Sequence, residues 1–222
     1  MTSILTITGW NLIPESLLPH VPDAQALDYR PFNHMDDVAR CCLRYNQSWD
    51  IIIGWSLGAQ IACRLVAQQV LHPKRLILIA PPFQHVQANG TEYGMAPCVF
   101  ESFRNAYAAY PEKTLRKFAL MNHGSTQMAK YMQTMLDENM SHHAHWLWWL
   151  DELGRFSCHD LDFKGFPPTT LIHANDDQVV SIHQIKAFQK VLPDYKLVML
   201  DQGGHVPHLH DRDLLTRVIA TC

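Results

Sequence analysis

The chain has 222 residues, a mass of 25.5 kDa and 47% hydrophobic residues, enough to fill one core, so a single domain over 1–222 is expected. A formal net charge of −3 and a pI near 6.5 exclude the sequence-wide basic field that nucleic acid or an anionic membrane surface would select. The longest apolar runs, such as 75–80 and 146–150, fall short of the ~20 residues of a membrane-spanning helix, and six scattered cysteines with neither Cys-x-x-Cys spacing nor a secretory leader point to a reduced, cytoplasmic monomer.

Residues 3–8, Ser-Ile-Leu-Thr-Ile-Thr, are β-rich and stop at Gly9-Trp10, which predicts a first strand. A loop carrying Pro14, Pro19 and Pro22 leads to a short strand over 26–29 and a helix over 36–45 that turns Val38, Ala39, Cys42 and Leu43 inward. The run Ile51-Ile52-Ile53 predicts a third strand, residues 57 to about 71 a helix ending near Pro73, and 74–80 a fourth strand broken by Pro81-Pro82. Further strands at 169–173 and 196–200 enclose a helix over about 182–191, and 211–220 closes the chain as a helix. Such βα alternation implies a mostly parallel sheet of about six strands, covered on both faces. Residues from about 83 to 165 interrupt it with helical segments at 97–109, 111–121, 125–138 and 142–154, an inserted helical cap.

The chemistry centres on residues 50–62, Asp-Ile-Ile-Ile-Gly-Trp-Ser-Leu-Gly-Ala-Gln-Ile-Ala. A buried strand runs into a serine between two glycines and straight on into a helix. On such a sharp turn the hydroxyl points away from the sheet, and flanking glycines remove the Cβ atoms that would collide, so Ser56 is the candidate nucleophile. A serine needs a base, and the base needs a carboxylate; in a parallel sheet both belong after the C-terminal ends of strands. After the strand ending at 173 comes Asn175-Asp176-Asp177-Gln178-Val179-Val180, and after the strand ending at 200 comes Gly203-Gly204-His205-Val206-Pro207.

Asp177 is preferred because Val179-Val180 can anchor its loop, while Asp176 stays open as the alternative or as an Asx-turn residue. His205 is preferred as the base because two glycines let its loop fold back over Ser56; His208 reads as a surface or loop residue, and His210 as the start of a helix. The Ser56, Asp177, His205 order is that of the α/β-hydrolase architecture. Backbone N–H groups of Trp10 and Leu57 are the expected oxyanion donors. His142, His143 and His145 lack the spacing of a metal site, so no metal or other cofactor is expected. Trp146, Trp148 and Trp149 read as cap packing or as an apolar pocket wall.

With these residues placed, the chain resembles the α/β-hydrolase superfamily and, within it, the pimeloyl acyl-carrier protein methyl ester esterases of biotin synthesis. Gly54-Trp55-Ser56-Leu57-Gly58 is the closest stretch, supported by Thr8-Gly9-Trp10, by residues 114–120 (Thr-Leu-Arg-Lys-Phe-Ala-Leu), and by Gly203-Gly204-His205-Val206-Pro207. Thr8 stands where the family usually has His, the family's N-terminal strand pair is missing, and its Asp-x-Pro-Gly-x-Gly loop reads Asp28-Tyr29-Arg30-Pro31-Phe32. The resemblance implies hydrolysis of a methyl ester carried by acyl-carrier protein, with Lys113, Lys117, Lys130 and Arg116 of the cap, and Arg104 as a neighbour, as carrier-binding residues. A solvated basic helix face is the alternative for those cations. A generic short-chain carboxylesterase, a thioesterase or lyase of the same fold, and a non-catalytic binding protein are the competing functions.

Overall fold

Six strands lie side by side in the order β2-β1-β3-β4-β5-β6, all parallel, in a computed structural model that describes residues 2–44, 48–88, 93–122 and 126–221. They are β1 (Ile4–Ile7), β2 (Gln25–Ala26), β3 (Ile51–Trp55), β4 (Arg75–Ile79), β5 (Thr169–Ala174) and β6 (Tyr195–Leu200). β1 and β3 are buried along their whole length, which is why β3 reads as a continuous apolar run rather than an alternating one; in β1 the buried Thr6 hydroxyl donates to the Gln25 carbonyl at 3.2 Å.

Helix α1 (Met35–Arg44) buries Met35, Val38 and Cys42, an i, i+3, i+7 stripe. Leu43, expected to face inward, is 61% exposed, because 100° of rotation per residue carries it off that stripe. Helix α2 (Leu57–Ala67) buries Leu57 to Cys63 without a break, as befits a helix enclosed on all sides. It is shorter than expected. Gln69 adopts φ 55°, and the amides of Gln69 and Val70 turn back to the carbonyls of Val66 and Leu65, a Schellman ending that no glycine announces. Strand β2 stops at Ala26; Tyr29 leaves the sheet, and its buried hydroxyl donates to the carbonyls of Gly9 (2.8 Å) and Thr8 (3.0 Å).

Between β4 and β5 lie four helices, α3 (Pro97–Ala109), α4 (Pro111–Met121), α5 (Thr126–Met135) and α6 (His143–Arg155). Proline opens α3 and α4, where its missing N–H costs nothing. The insertion enters and leaves at one place: Gln84 bridges Ser157, and the Cys158 amide donates to the Phe83 carbonyl at 2.8 Å. It is tied to the sheet by Trp10 Nε1–H to the Trp146 carbonyl (2.7 Å), by Ile13 N–H to the Met135 carbonyl (2.9 Å) and by an Arg64–Glu152 ion pair (3.0 Å). Arg104, expected near the carrier-binding group, instead grips Asp151 at 2.9 Å and joins α3 to α6. After β5 come α7 (His183–Val191), a short α8 (Pro207–His210) and α9 (Leu214–Ala220). His210 therefore ends a helix rather than starting one, and the closing helix begins at Leu214 instead of 211, because Asp211 is extended.

Among the described glycines, the tightest packing is at the start of α2. A Cβ at Gly58 would lie 2.0 Å from Ile7 O and 2.4 Å from Thr8 O, both main-chain atoms that cannot yield. Gly58→Ala should therefore cost about 3 kcal/mol or more, read as a lowered urea midpoint; an unchanged midpoint would contradict this packing.

Candidate active site

Four strand ends meet at the C-terminal edge of the sheet: β1 leads to Trp10, β3 to Ser56, β5 to Asp177 and β6 to His205. Ser56 has φ 54° and ψ −121°, a backbone region costly for a non-glycine residue, and is held there by its amide bond to Ile79 O (2.9 Å) and by the first turn of α2. A Cβ at Gly54 would meet Ala59 Cα at 2.6 Å, so each glycine of the motif is needed for a separate backbone approach.

The side chains form one hydrogen-bonded line. His205 Nε2 is 2.8 Å from Ser56 Oγ, and His205 Nδ1 is 2.9 Å from Asp177 Oδ2. Asp177 Oδ1 accepts from the main-chain amides of Val179 (2.8 Å) and Val180 (2.9 Å), which tie the carboxylate to the turn that follows it. Burial by itself would raise the Asp177 carboxyl, but the His205 ring beside it, assisted by His173 and the Val180 amide, holds it below the usual carboxylate range. Asp176 is exposed and does not touch the ring; its Oδ1 accepts from the Gly204 amide at 2.7 Å. The two aspartates thus serve one loop, one on the histidine ring and one on the backbone before it.

Leu57 occupies the first position of α2, where a backbone N–H has no intrahelical acceptor. The loop after β1 passes against the serine: a Cβ at Gly9 would lie 3.4 Å from Ser56 Cβ, which brings the adjacent Trp10 segment to the same spot. The Trp10 ring packs edge-on against Phe103, Tyr107 and Phe118 and walls a cavity of about 530 Å³ that Ser56 also lines. Phe103, Phe118, Leu150, Leu153 and Val179 make this cavity apolar, and Lys113 and Lys117 line it from α4. Arg116 points to another side of α4, 3.9 Å from Glu112, and Lys130 stands exposed on α5, so the four cap cations do not form one group. Trp146 and Trp149 are buried packing residues; Leu150 and Leu153 of the same helix face the cavity instead.

His208, expected at the surface, is fully buried, with its ring edge-on to Trp55 (4.6 Å) and His20 (5.5 Å). Its local sequence is that of a loop histidine because the enclosing partners lie 150 residues or more away in the chain. Three further residues carry no clear mark in the sequence. His85 lines the cavity, His173 Nε2 donates to Val180 O (3.0 Å) within 3.5 Å of Asp177, and Asn122 O accepts from the His205 amide (2.7 Å). Of these, only His173 has a sequence signal, as a histidine in the otherwise apolar run of β5. Among the described residues no cluster of three His, Cys, Asp or Glu side chains is arranged to hold a metal, and no helix is long and apolar enough to cross a membrane.

A profile of the Alpha/beta hydrolase family matches residues 14–218. The biotin biosynthesis bifunctional protein BioHC of Teredinibacter turnerae is 31% identical over 187 residues, covering 75% of this chain and 32% of that protein, so the chain spans about a third of this relative. A pimeloyl acyl-carrier protein methyl ester esterase of Aromatoleum aromaticum is 25% identical over 174 residues, covering 73% of this chain and 70% of that protein. Among solved structures, an esterase of Exiguobacterium antarcticum superposes with a TM-score of 0.85 at 15% identity, over 100% of this chain and 91% of its own.

The buried histidines set the pH dependence of stability. Burial lowers His85, to about 4, and lowers His173 and His208 as well, so the folded chain binds protons less readily than the unfolded one. Stability is intact above the ordinary histidine value of 6.5 and is lost as pH falls from there toward the folded values. Asp177 acts in a lower window, below its ordinary 3.8. Urea midpoints should drop between pH 7 and 4.5, and His85→Leu should remove part of that drop, up to about 3 kcal/mol by pH 4. An equally steep drop in the variant would refute the assignment.

Proposed function

The chain belongs to the alpha/beta hydrolase family, and we propose that within it the protein is a serine carboxylesterase acting on the methyl ester of a pimeloyl acyl-carrier protein. The observation that carries the reading is the unbroken line from Ser56 Oγ through His205 to Asp177, with Ser56 lining an apolar cavity.

His205 Nε2 takes the Ser56 proton as Oγ adds to the ester carbonyl, and Asp177 keeps the ring oriented and stabilises its charge. The Trp10 and Leu57 amides donate to the oxyanion of the tetrahedral adduct. Collapse breaks the bond to the methoxy oxygen, which leaves as methanol with the proton from His205. Water, deprotonated by the same histidine, then releases the acyl group as a free carboxylate. Proton transfers and an acyl-serine complete the cycle on this reading, with every step carried by the chain's own groups and water.

Two observations support this choice of substrate. The cavity is apolar enough for a saturated acyl chain, and relatives at 25–31% identity carry names that specify pimeloyl carrier esters or biotin biosynthesis. Lys113 and Lys117, one turn apart on α4, are the residues of the proposed carrier-binding set best placed to meet an acidic carrier at the cavity; Arg116 and Lys130 stand outside it. The described cysteines are free, which fits a cytoplasmic setting, and residues 1–222 form on this reading one catalytic domain with its cap.

Ser56→Ala should lower turnover on the order of a millionfold, and Asp177→Asn roughly 10⁴-fold with Asp176→Asn far less affected, in assays with p-nitrophenyl butyrate. A millionfold loss shared by neither Ser56 nor His205 variants would remove the serine mechanism. For the substrate, the pimeloyl methyl ester on acyl-carrier protein should be converted to the free acid. Charge reversal at Lys113 and Lys117 should slow that conversion while sparing the short p-nitrophenyl ester; equal loss on both would sink carrier docking.

A further inference from the structure

Trp55 precedes Ser56 at the end of β3, and its indole is buried yet takes no part in lining the cavity. Its side chain faces the other way, toward the loop that carries the base. Nε1–H donates to the main-chain carbonyl of His205 at 3.0 Å. The amide of the same residue donates to Asn122 O at 2.7 Å, and the Gly204 amide before it donates to Asp176 Oδ1 at 2.7 Å.

These bonds matter because of what precedes His205. Gly203 and Gly204 have φ of 150° and 56°, and a glycine pair gives a loop more backbone freedom than any other dipeptide. The imidazole has to stay within hydrogen-bond reach of Ser56 Oγ, where displacements of well under 1 Å decide the rate. Two of the three restraints come from outside the elbow: one from the end of cap helix α4, one from an exposed carboxylate. The third comes from the residue bonded to Ser56 itself. It therefore fixes the histidine backbone relative to the serine by a path that crosses neither the cap nor the acid loop. The indole is braced in turn by the buried His208 ring at 4.6 Å.

We propose that Trp55 is a positioning residue: its indole N–H, acting through the His205 carbonyl, holds the imidazole in line with Ser56, and it makes no contact with substrate. The proposal rests on the reading of Ser56 and His205 as nucleophile and base.

The test replaces Trp55 with β-(3-benzothienyl)alanine, which keeps the bicyclic shape and puts sulfur where the N–H stood, and in parallel makes Trp55→Phe. Rates on p-nitrophenyl butyrate are divided by the number of active sites titrated to end point with a fluorophosphonate. The expected result is a fall in kcat per titrated site of about 10- to 100-fold with KM within twofold of the parent. A benzothienyl chain whose kcat per site stays within twofold of the parent overturns the proposal, even if its thermal midpoint drops, since that marks a packing role alone. Should the benzothienyl chain not fold, the same criteria apply to Trp55→Phe. Ser56→Ala is run alongside: if it retains the parent rate, the serine reading falls, and that failure is distinct from a Trp55 variant that leaves a Ser56-dependent rate unchanged.

Discussion

Two missing Cβ atoms hold this structure in its working form. Gly58 lets the start of α2 press onto the carbonyls of Ile7 and Thr8, and Gly54 lets β3 turn beneath Ala59. Only with both contacts made can Ser56 stay at φ 54°, since the strain of that backbone has to be outweighed by the packing around it. From this one junction follow the burial of α2, the placing of the Gly9-Trp10 loop against the serine, and the direction in which the hydroxyl points.

The rest of the site is a set of restraints on a loop that would otherwise wander. His205 sits after two glycines, and its loop is held from three places: after β5, where Asp177 meets the ring and Asp176 the Gly204 amide, at the end of β3, where Trp55 meets the His205 carbonyl, and at the end of α4, where Asn122 meets the His205 amide. Elements distant in sequence thus converge on one residue. The low-dielectric surroundings make the buried bonds to Asp177 and Trp55 stronger than they would be in water, and more costly to lose.

Much of this was legible in the sequence. The six strands, the four cap helices and the Ser, Asp, His order rest on local signals: β-branched runs, prolines at helix starts, and glycines at fixed offsets from a serine. The features that were not legible depend on tertiary enclosure. His208 has an ordinary loop context, and only Trp55 and His20 packed around it make it a core residue. The Schellman turn at Gln69 uses no glycine, so nothing marks the end of α2. Asp176 and Asp177 are adjacent and chemically equal, and what separates them is tertiary: Asp177 is buried against the His205 ring, while Asp176 is exposed and accepts from the Gly204 amide. Arg104 and Lys117 look alike as charges on cap helices until Asp151 is seen to occupy one of them.

The insertion leaves and rejoins the sheet at a single seam, where Phe83 and Gln84 lie beside Ser157 and Cys158. A segment whose ends already meet adds little to the loop-closure entropy when its length changes, so lineages can lengthen, shorten or exchange it without disturbing strand order. One inheritance limits that freedom. Whatever occupies the place of α4 must still present a main-chain carbonyl where Asn122 does, since the His205 amide has no other acceptor among the described residues. The cavity wall can therefore change freely along most of the insertion, while the end of one cap helix is tied to the loop that carries His205.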